Sequence, residues 1–164
     1  MSQPGVRRVV LLAPTTVTTS AAFPDINIPQ GFSTAIVSAT ASTTSGTSPT
    51  FALFLQKQIP QAASTDLAGN PPSGTAVWDD VLQFTTISTN GTRIANLAGI
   101  SFPATTANTS AMTTADWALT DAGIGSGTLR IGALGGDMRV KVAVTGTSPS
   151  TVLSVVAEFI PYGG

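Results

Sequence analysis

Hydrophobic and polar residues alternate with period two along much of the chain, the spacing at which successive strand side chains point to opposite faces. The clearest case is 137–145. Met138, Val140, Val142 and Val144 fall on one side, and Asp137, Arg139, Lys141, Ala143 and Thr145 on the other. This pattern predicts a half-buried strand. Gly146-Thr147-Ser148-Pro149 follows, and then a second β-prone run, 151–159. Gly146 accepts positive φ, Ser148 is held extended by the proline after it, and Pro149 has no N–H for a central ladder. The stretch therefore predicts a hairpin whose return strand starts at Pro149. The same four residues recur as Gly46-Thr47-Ser48-Pro49 between the β-prone runs 32–43 and 50–58. They predict a second hairpin of the same design, with Phe51, Leu53 and Leu55 on one face of its outgoing strand.

The remaining elements follow from β propensity and turn chemistry. Val6 to Ala13 reads as a first strand or an extended arm, and Thr15 to Thr19 is almost wholly β-branched. Pro24 and Pro29 confine 23–31 to an edge strand or an ordered loop. Residues 60–75 hold the densest cluster of turn formers and predict a surface loop. Asn90-Gly91, between 76–89 and 92–97, predicts a tight hairpin of the type that needs positive φ at both central residues. Residues 110–119 read either as a short helix, with Met112, Ala115 and Leu119 on one face, or as a decorated loop. The pattern is of about eight to ten antiparallel strands with turns between them. The expected fold is a single all-β domain spanning 1–164, a β-sandwich or jelly roll. Residues 1–14 are expected to form an N-terminal arm, 159–164 a C-terminal tail, and the region around 102–127 one long loop or short helix.

Composition narrows the chemistry. The chain has no cysteine and no histidine, which removes disulfides, thiolate nucleophiles, the commonest metal ligand and the commonest neutral-pH base. Charged residues are 9% of the sequence, against about a quarter in an average soluble domain. Ala, Thr, Ser and Gly take their place, and a surface so weakly charged suits a protein held in an assembly. With a net charge of -1 and no basic run longer than Arg7-Arg8, the chain has no electrostatic footprint for nucleic acid. The apolar run after Arg8 ends at Pro14, too short for a signal-peptide core or a membrane span.

Candidate chemistry is sparse. Asp79-Asp80 is the one adjacent acid pair, and on a strand its two carboxylates face opposite ways. Calcium would need Asp66 or Asp137 brought beside that pair. A glycosidase pair would have to come from Asp79, Asp80, Asp116 and Glu158 with nothing to set its spacing. Lys57 and Lys141 are the only lysines, and no serine or threonine has an evident activating base. Trp78 reads as a core residue and Trp117 as core or interface. No catalytic residue, cofactor or metal site is expected.

Three stretches together, Ser45 to Gln56, Trp78 to Phe84 and Met138 to Ser150, resemble the small β-sandwich decoration, or cement, proteins of tailed-phage capsids. The resemblance rests on strand, Gly-Thr-Ser-Pro, strand elements; 102–127 has no counterpart in it. It implies a non-enzymatic virion protein on the outer capsid surface, made in the host cytoplasm without a signal peptide. Its partners would be the major capsid protein and itself, as a homo-dimer or, by preference, a homo-trimer, with no nucleic acid or membrane. Arg7, Arg8, Trp117 and Tyr162 are the candidate contacts, since Arg and aromatic residues are enriched at interface hot spots. Gly46, Pro49, Asn90, Gly91, Gly146 and Pro149 are the expected turn positions. A glycan-binding tail or fibre module, and a tail-tube or head-tail connector subunit, are the alternatives.

Overall fold

The computed structural model of the chain describes residues 5–28, 32–59, 77–98, 113–115, 126–130 and 136–161. Among the described residues nine strands form one sheet: β1 (Arg7–Val17), β2 (Ala21–Ala22), β3 (Ile26–Ile28), β4 (Phe32–Ile59), β5 (Val77–Gln83), β6 (Gly91–Ala98), β7 (Thr113–Ala115), β8 (Thr128–Arg130) and β9 (Gly136–Pro161). The protein is all-β and antiparallel throughout, except that β7 runs parallel to β8. No helix occurs among the described residues. Within the expected helix at 110–119, Thr113–Ala115 is strand, and the rest of that segment lies outside the described residues.

The two longest strands are the spine. β4 and β9 pair from Phe32↔Pro161 to Lys57↔Met138. Along the far side of β9 lie β1, β2 and β3, end to end. β5, a bridge at Ile87 and β6 lie in the same way along the far side of β4. The sheet thus has four long runs, in the order 7–28, 136–161, 32–59, 77–98. At one level the ladders of all four are interrupted. On one side of that level, the β1 half contains β1, 151–161, 32–42 and β6. On the other, the β5 half contains β2, β3, 136–145, 50–59 and β5.

The two hairpins expected at Gly-Thr-Ser-Pro do not form. Residues 32–43 and 50–58 belong to one strand and pair with β9, not with each other. The two motifs instead meet at the crossing, where Thr47 pairs with Thr147 and the register shifts on either side. Gly46 (φ 116) and Gly146 (φ 111) each lie against the other motif: a Cβ on Gly46 would meet the Ser148 carbonyl oxygen at 2.7 Å, and one on Gly146 the Ser48 oxygen at 2.8 Å. Ser48 and Ser148 are left-handed too. Positive φ at these four positions kinks each strand without reversing it. Pro49 and Pro149 have no place in the paired register, so no ladder N–H is missed.

Asn90-Gly91 is not a hairpin turn either. β5 and β6 do not pair with one another; they pair with successive parts of β4. Asn90 lacks positive φ, and its Oδ1 instead accepts the Thr44 N–H at 2.7 Å. Residues 7–14 are likewise no free arm, because β1 pairs with β9 from Arg7↔Phe159 to Val17↔Thr151. Phe159 to Pro161, expected as tail, complete β9.

The structure is internally repeated. Val77 pairs with Ile59 as Arg7 pairs with Phe159, and Asp80 with Gln56 as Val10 with Val156. Both ladders then skip one residue, Leu11 in β1 and Val81 in β5, and both skipped side chains are buried. Val17 and Ile87 reach equivalent places opposite Thr151 and Phe51. Ser20 Oγ accepts the Val144 N–H at 2.8 Å, matching the bond from Thr44 to Asn90. The run 7–20 therefore recurs at 77–90, and 46–57 at 146–157, about a pseudo-two-fold axis at the Gly-Thr-Ser-Pro crossing.

Inward side chains of both halves share one core. β4 contributes Ala35, Val37, Ala39 and Ala41, then Phe51, Leu53 and Leu55; β9 contributes Met138, Val140 and Val142, then Leu153, Val155, Ala157 and Phe159. In β9 the inward positions change from even to odd at the crossing, while in β4 they stay odd. The shifted register accounts for this: Ser42 to Thr50 spans one residue more than Thr145 to Val152. Full burial of each large aliphatic residue contributes roughly 1.5–3 kcal/mol, so this core is the main source of stability.

Candidate functional site

Three polar residues that sequence reasoning singled out, Asp80, Asp137 and Lys141, lie on the outer face of the β5 half with Gln56, Asn27 and Arg139. Outward positions on a strand alternate with core positions, so Gln56 and Asp80, directly paired across β4 and β5, point away from the core together with Arg139 on β9. Gln56 Nε2 donates to Asp80 Oδ1 at 2.6 Å, and Arg139 Nε donates to Gln56 Oε1 at 2.8 Å. The guanidinium also stacks on Trp78, with Cζ 4.2 Å from the ring centroid. The next rows carry Lys141 Nζ 5.3 Å from the Phe54 ring centroid, and Asn27 Nδ2 donating to Asp137 Oδ1 at 2.7 Å. Trp78 is thus half-buried on the outer face and not in the core as expected.

The centre of this face, at Gln56 and Asp80, is enclosed. Gln56 is 2% and Asp80 3% exposed. A buried glutamine between a carboxylate and a guanidinium satisfies one group on each side, the condition under which buried polar groups are tolerated. The arrangement braces three strands. It presents neither a nucleophile beside a base nor carboxylates converging on a cavity, and among the described residues no cluster of three His, Cys, Asp or Glu side chains could hold a metal ion. Asp79 takes the opposite side of β5, paired in register with Lys57, so the adjacent acids face apart. Burial of Lys57 lowers its ammonium pKa from the ordinary lysine value.

The corresponding face of the β1 half has the opposite character. Its outward positions form cross-strand rows: Arg8, Glu158, Ile36 and Asn96; then Val10, Val156, Ser38 and Ile94; then Ser154, Thr40 and Thr92. Val10 is 51% exposed, and Ile36 and Ile94 are 38% exposed each. Thr40 and Thr92 share a hydroxyl hydrogen bond of 3.0 Å. Arg8 and Glu158 are the only charges in these rows. Beyond the two halves, the crossing exposes a patch that is neutral and rich in serine and threonine, at Ser45 to Ser48 and Thr145 to Ser148.

Of the predicted contact residues, Arg7 and Arg8 are exposed near the start of β1, while Trp117 and Tyr162 lie outside the described residues. Gly46, Pro49, Gly146 and Pro149 gather at the crossing, and Asn90 and Gly91 where β6 begins. Sequence reasoning missed Gln56 and Arg139, whose contacts join residues far apart in the chain. No known protein family matches this chain, and no curated protein or solved structure matches it.

Proposed function

We propose that the protein is a structural virion protein, a non-enzymatic decoration protein that binds the outside of an assembled tailed-phage capsid and stabilises it. In this reading the sheet closes on itself as a β-sandwich of the jelly-roll type, and the protein acts as a small closed oligomer on the major capsid protein. The observation that carries the proposal is the distribution of polar groups. Asp80, Gln56 and Arg139 brace strands, whereas the crossing offers a neutral serine- and threonine-rich surface. Such a surface suits many weak, identical contacts on a lattice, where avidity multiplies a modest affinity. Binding only the assembled shell would stabilise that state by mass action.

The test is cosedimentation of the purified chain with expanded shells that lack it. Saturation at a stoichiometry matching symmetry-related lattice positions, with a rise in shell melting temperature, is expected. Absence of shell binding would overturn the proposal, and glycan binding or assembly into tubes or rings would support the alternative readings.

A further inference from the structure

We infer that the outer face of the β1 half is a self-association surface, on which a second copy of this chain docks face to face about a two-fold axis lying along the row Val10, Val156, Ser38, Ile94. The inference rests on the closed-oligomer part of the proposed function and not on shell binding.

The pseudo-symmetry of the fold points to this face. At equivalent positions the β5 half places Asp80 and Gln56, both almost fully buried, and the β1 half places Val10 and Val156, with Val10 about half exposed. The polar version of the face is covered and the apolar version open, the reverse of what a chain acting alone would favour.

Self-complementarity selects the occupant. An axis along the Val10 row lays that row on its own copy, so that Val10, Val156 and Ile94 meet their own counterparts and Ser38 meets Ser38. The rows on either side then exchange: Glu158 faces the second copy's Ser154 hydroxyl, Asn96 faces its Thr92, and Ile36 lies on its Thr40 methyl. Each contact occurs twice, as an isologous interface requires. Four strands about 4.8 Å apart and about ten residues long offer roughly 600 Å² of face, close to the roughly 800 Å² per partner of a stable interface. Docking through the edge of β1 is disfavoured, because Pro14 and the two irregularities in its ladder with β9 interrupt the strand.

The experiment is sedimentation velocity of the full chain over a concentration series, for the wild type, Ser154→Glu and Ser154→Lys. A monomer–dimer equilibrium is expected for the wild type. Ser154→Glu, which sets two carboxylates together at each contact, should weaken dimerisation at least about tenfold, while Ser154→Lys, which meets Glu158, should preserve or tighten it. Because the chain has no cysteine, Val10→Cys gives an independent readout. A short bismaleimide should link it to its own copy and leave Thr47→Cys, at the crossing, unlinked. A wild type still monomeric at about 100 µM, where weak interfaces are populated, would overturn the inference. So would a trimer, equal loss with Glu and Lys, or no Val10→Cys cross-link. Failure of shell binding with dimerisation intact would count against the capsid reading alone.

Discussion

The two halves of the sheet share one backbone plan and treat their outer faces in opposite ways. In the β5 half, Asp80, Gln56 and Arg139 are linked across three strands by hydrogen bonds of 2.6 and 2.8 Å, and the first two are almost fully buried. At equivalent places in the β1 half stand Val10, which is 51% exposed, and the half-buried Val156 and Ser38. Several core positions match closely: Leu53 and Leu153 coincide, as do Leu55 and Val155 or Val17 and Ile87. Both halves fill the same core, so most of their inward positions are apolar, with Lys57 and Asp79 of the β5 half as exceptions. The outer faces differ in kind, one linked by hydrogen bonds across three strands and one carrying exposed aliphatic side chains.

Exchanging residues between equivalent positions breaks the comparison most strongly. Gln56→Val should cost about 2–4 kcal/mol, because it strips the buried Asp80 carboxylate and the Arg139 guanidinium of a partner at once. The reciprocal Val156→Gln should change monomer stability by less than about 0.5 kcal/mol, since its new amide can reach water. Urea midpoints measured at low protein concentration compare the two. Comparable costs would mean that the halves do not differ as described.

Next in size are the crossing glycines. Gly46→Ala and Gly146→Ala should each cost about 2–3 kcal/mol, from strain at positive φ and a clash with a backbone carbonyl of the other motif. Because each clash opens the same contact, the double variant should cost clearly less than the sum. Strict additivity in thermal unfolding would argue against motifs nested on one another.

Smaller and equal effects should come from the matched side-chain acceptors. Asn90→Ala and Ser20→Ala each leave one N–H, that of Thr44 or Val144, without its side-chain acceptor, at about 1 kcal/mol. A large inequality in their urea midpoints would break the pseudo-symmetry. The smallest effect concerns Lys57. Burial lowers its folded-state pKa, so between that value and the ordinary lysine pKa the unfolded chain binds more protons. Stability should therefore rise with pH through that interval. Lys57→Met should remove this contribution from the alkaline limb of the stability profile, and an unchanged limb would contradict it.

Much of the strand content was legible from period-two alternation, because a half-buried strand must separate its faces: β9 and the outgoing part of β4 are cases. Pairing was not. Glycine with positive φ beside a proline reads alike in a hairpin turn and in a crossing where two copies pack together. What distinguishes them is the approach of Gly46 to Ser148, a contact across a hundred residues. Asn90-Gly91 misled for the same reason, since the acceptor role of Asn90 depends on Thr44 in a distant strand. One signal was present and local: Thr15-Thr16-Val17 recurs as Thr85-Thr86-Ile87, and with the repeated Gly-Thr-Ser-Pro it marks the internal repeat. The polar brace left no such trace. Gln56 lies 24 residues from Asp80 and 83 from Arg139, and only the register brings them together. Trp78 looked like core because its strand is apolar, yet parity sets it beside Asp80 on the outer face.

The claim that the two outer faces serve different roles is tested most directly by hydroxyl-radical footprinting of the full chain over a range of protein concentration. Oxidation of Val10, Ile36 and Ile94 should fall together as concentration rises, while Trp78 and Phe54 keep a constant rate. Constant rates at the first three residues, or protection centred on Trp78 and Phe54, would contradict the account.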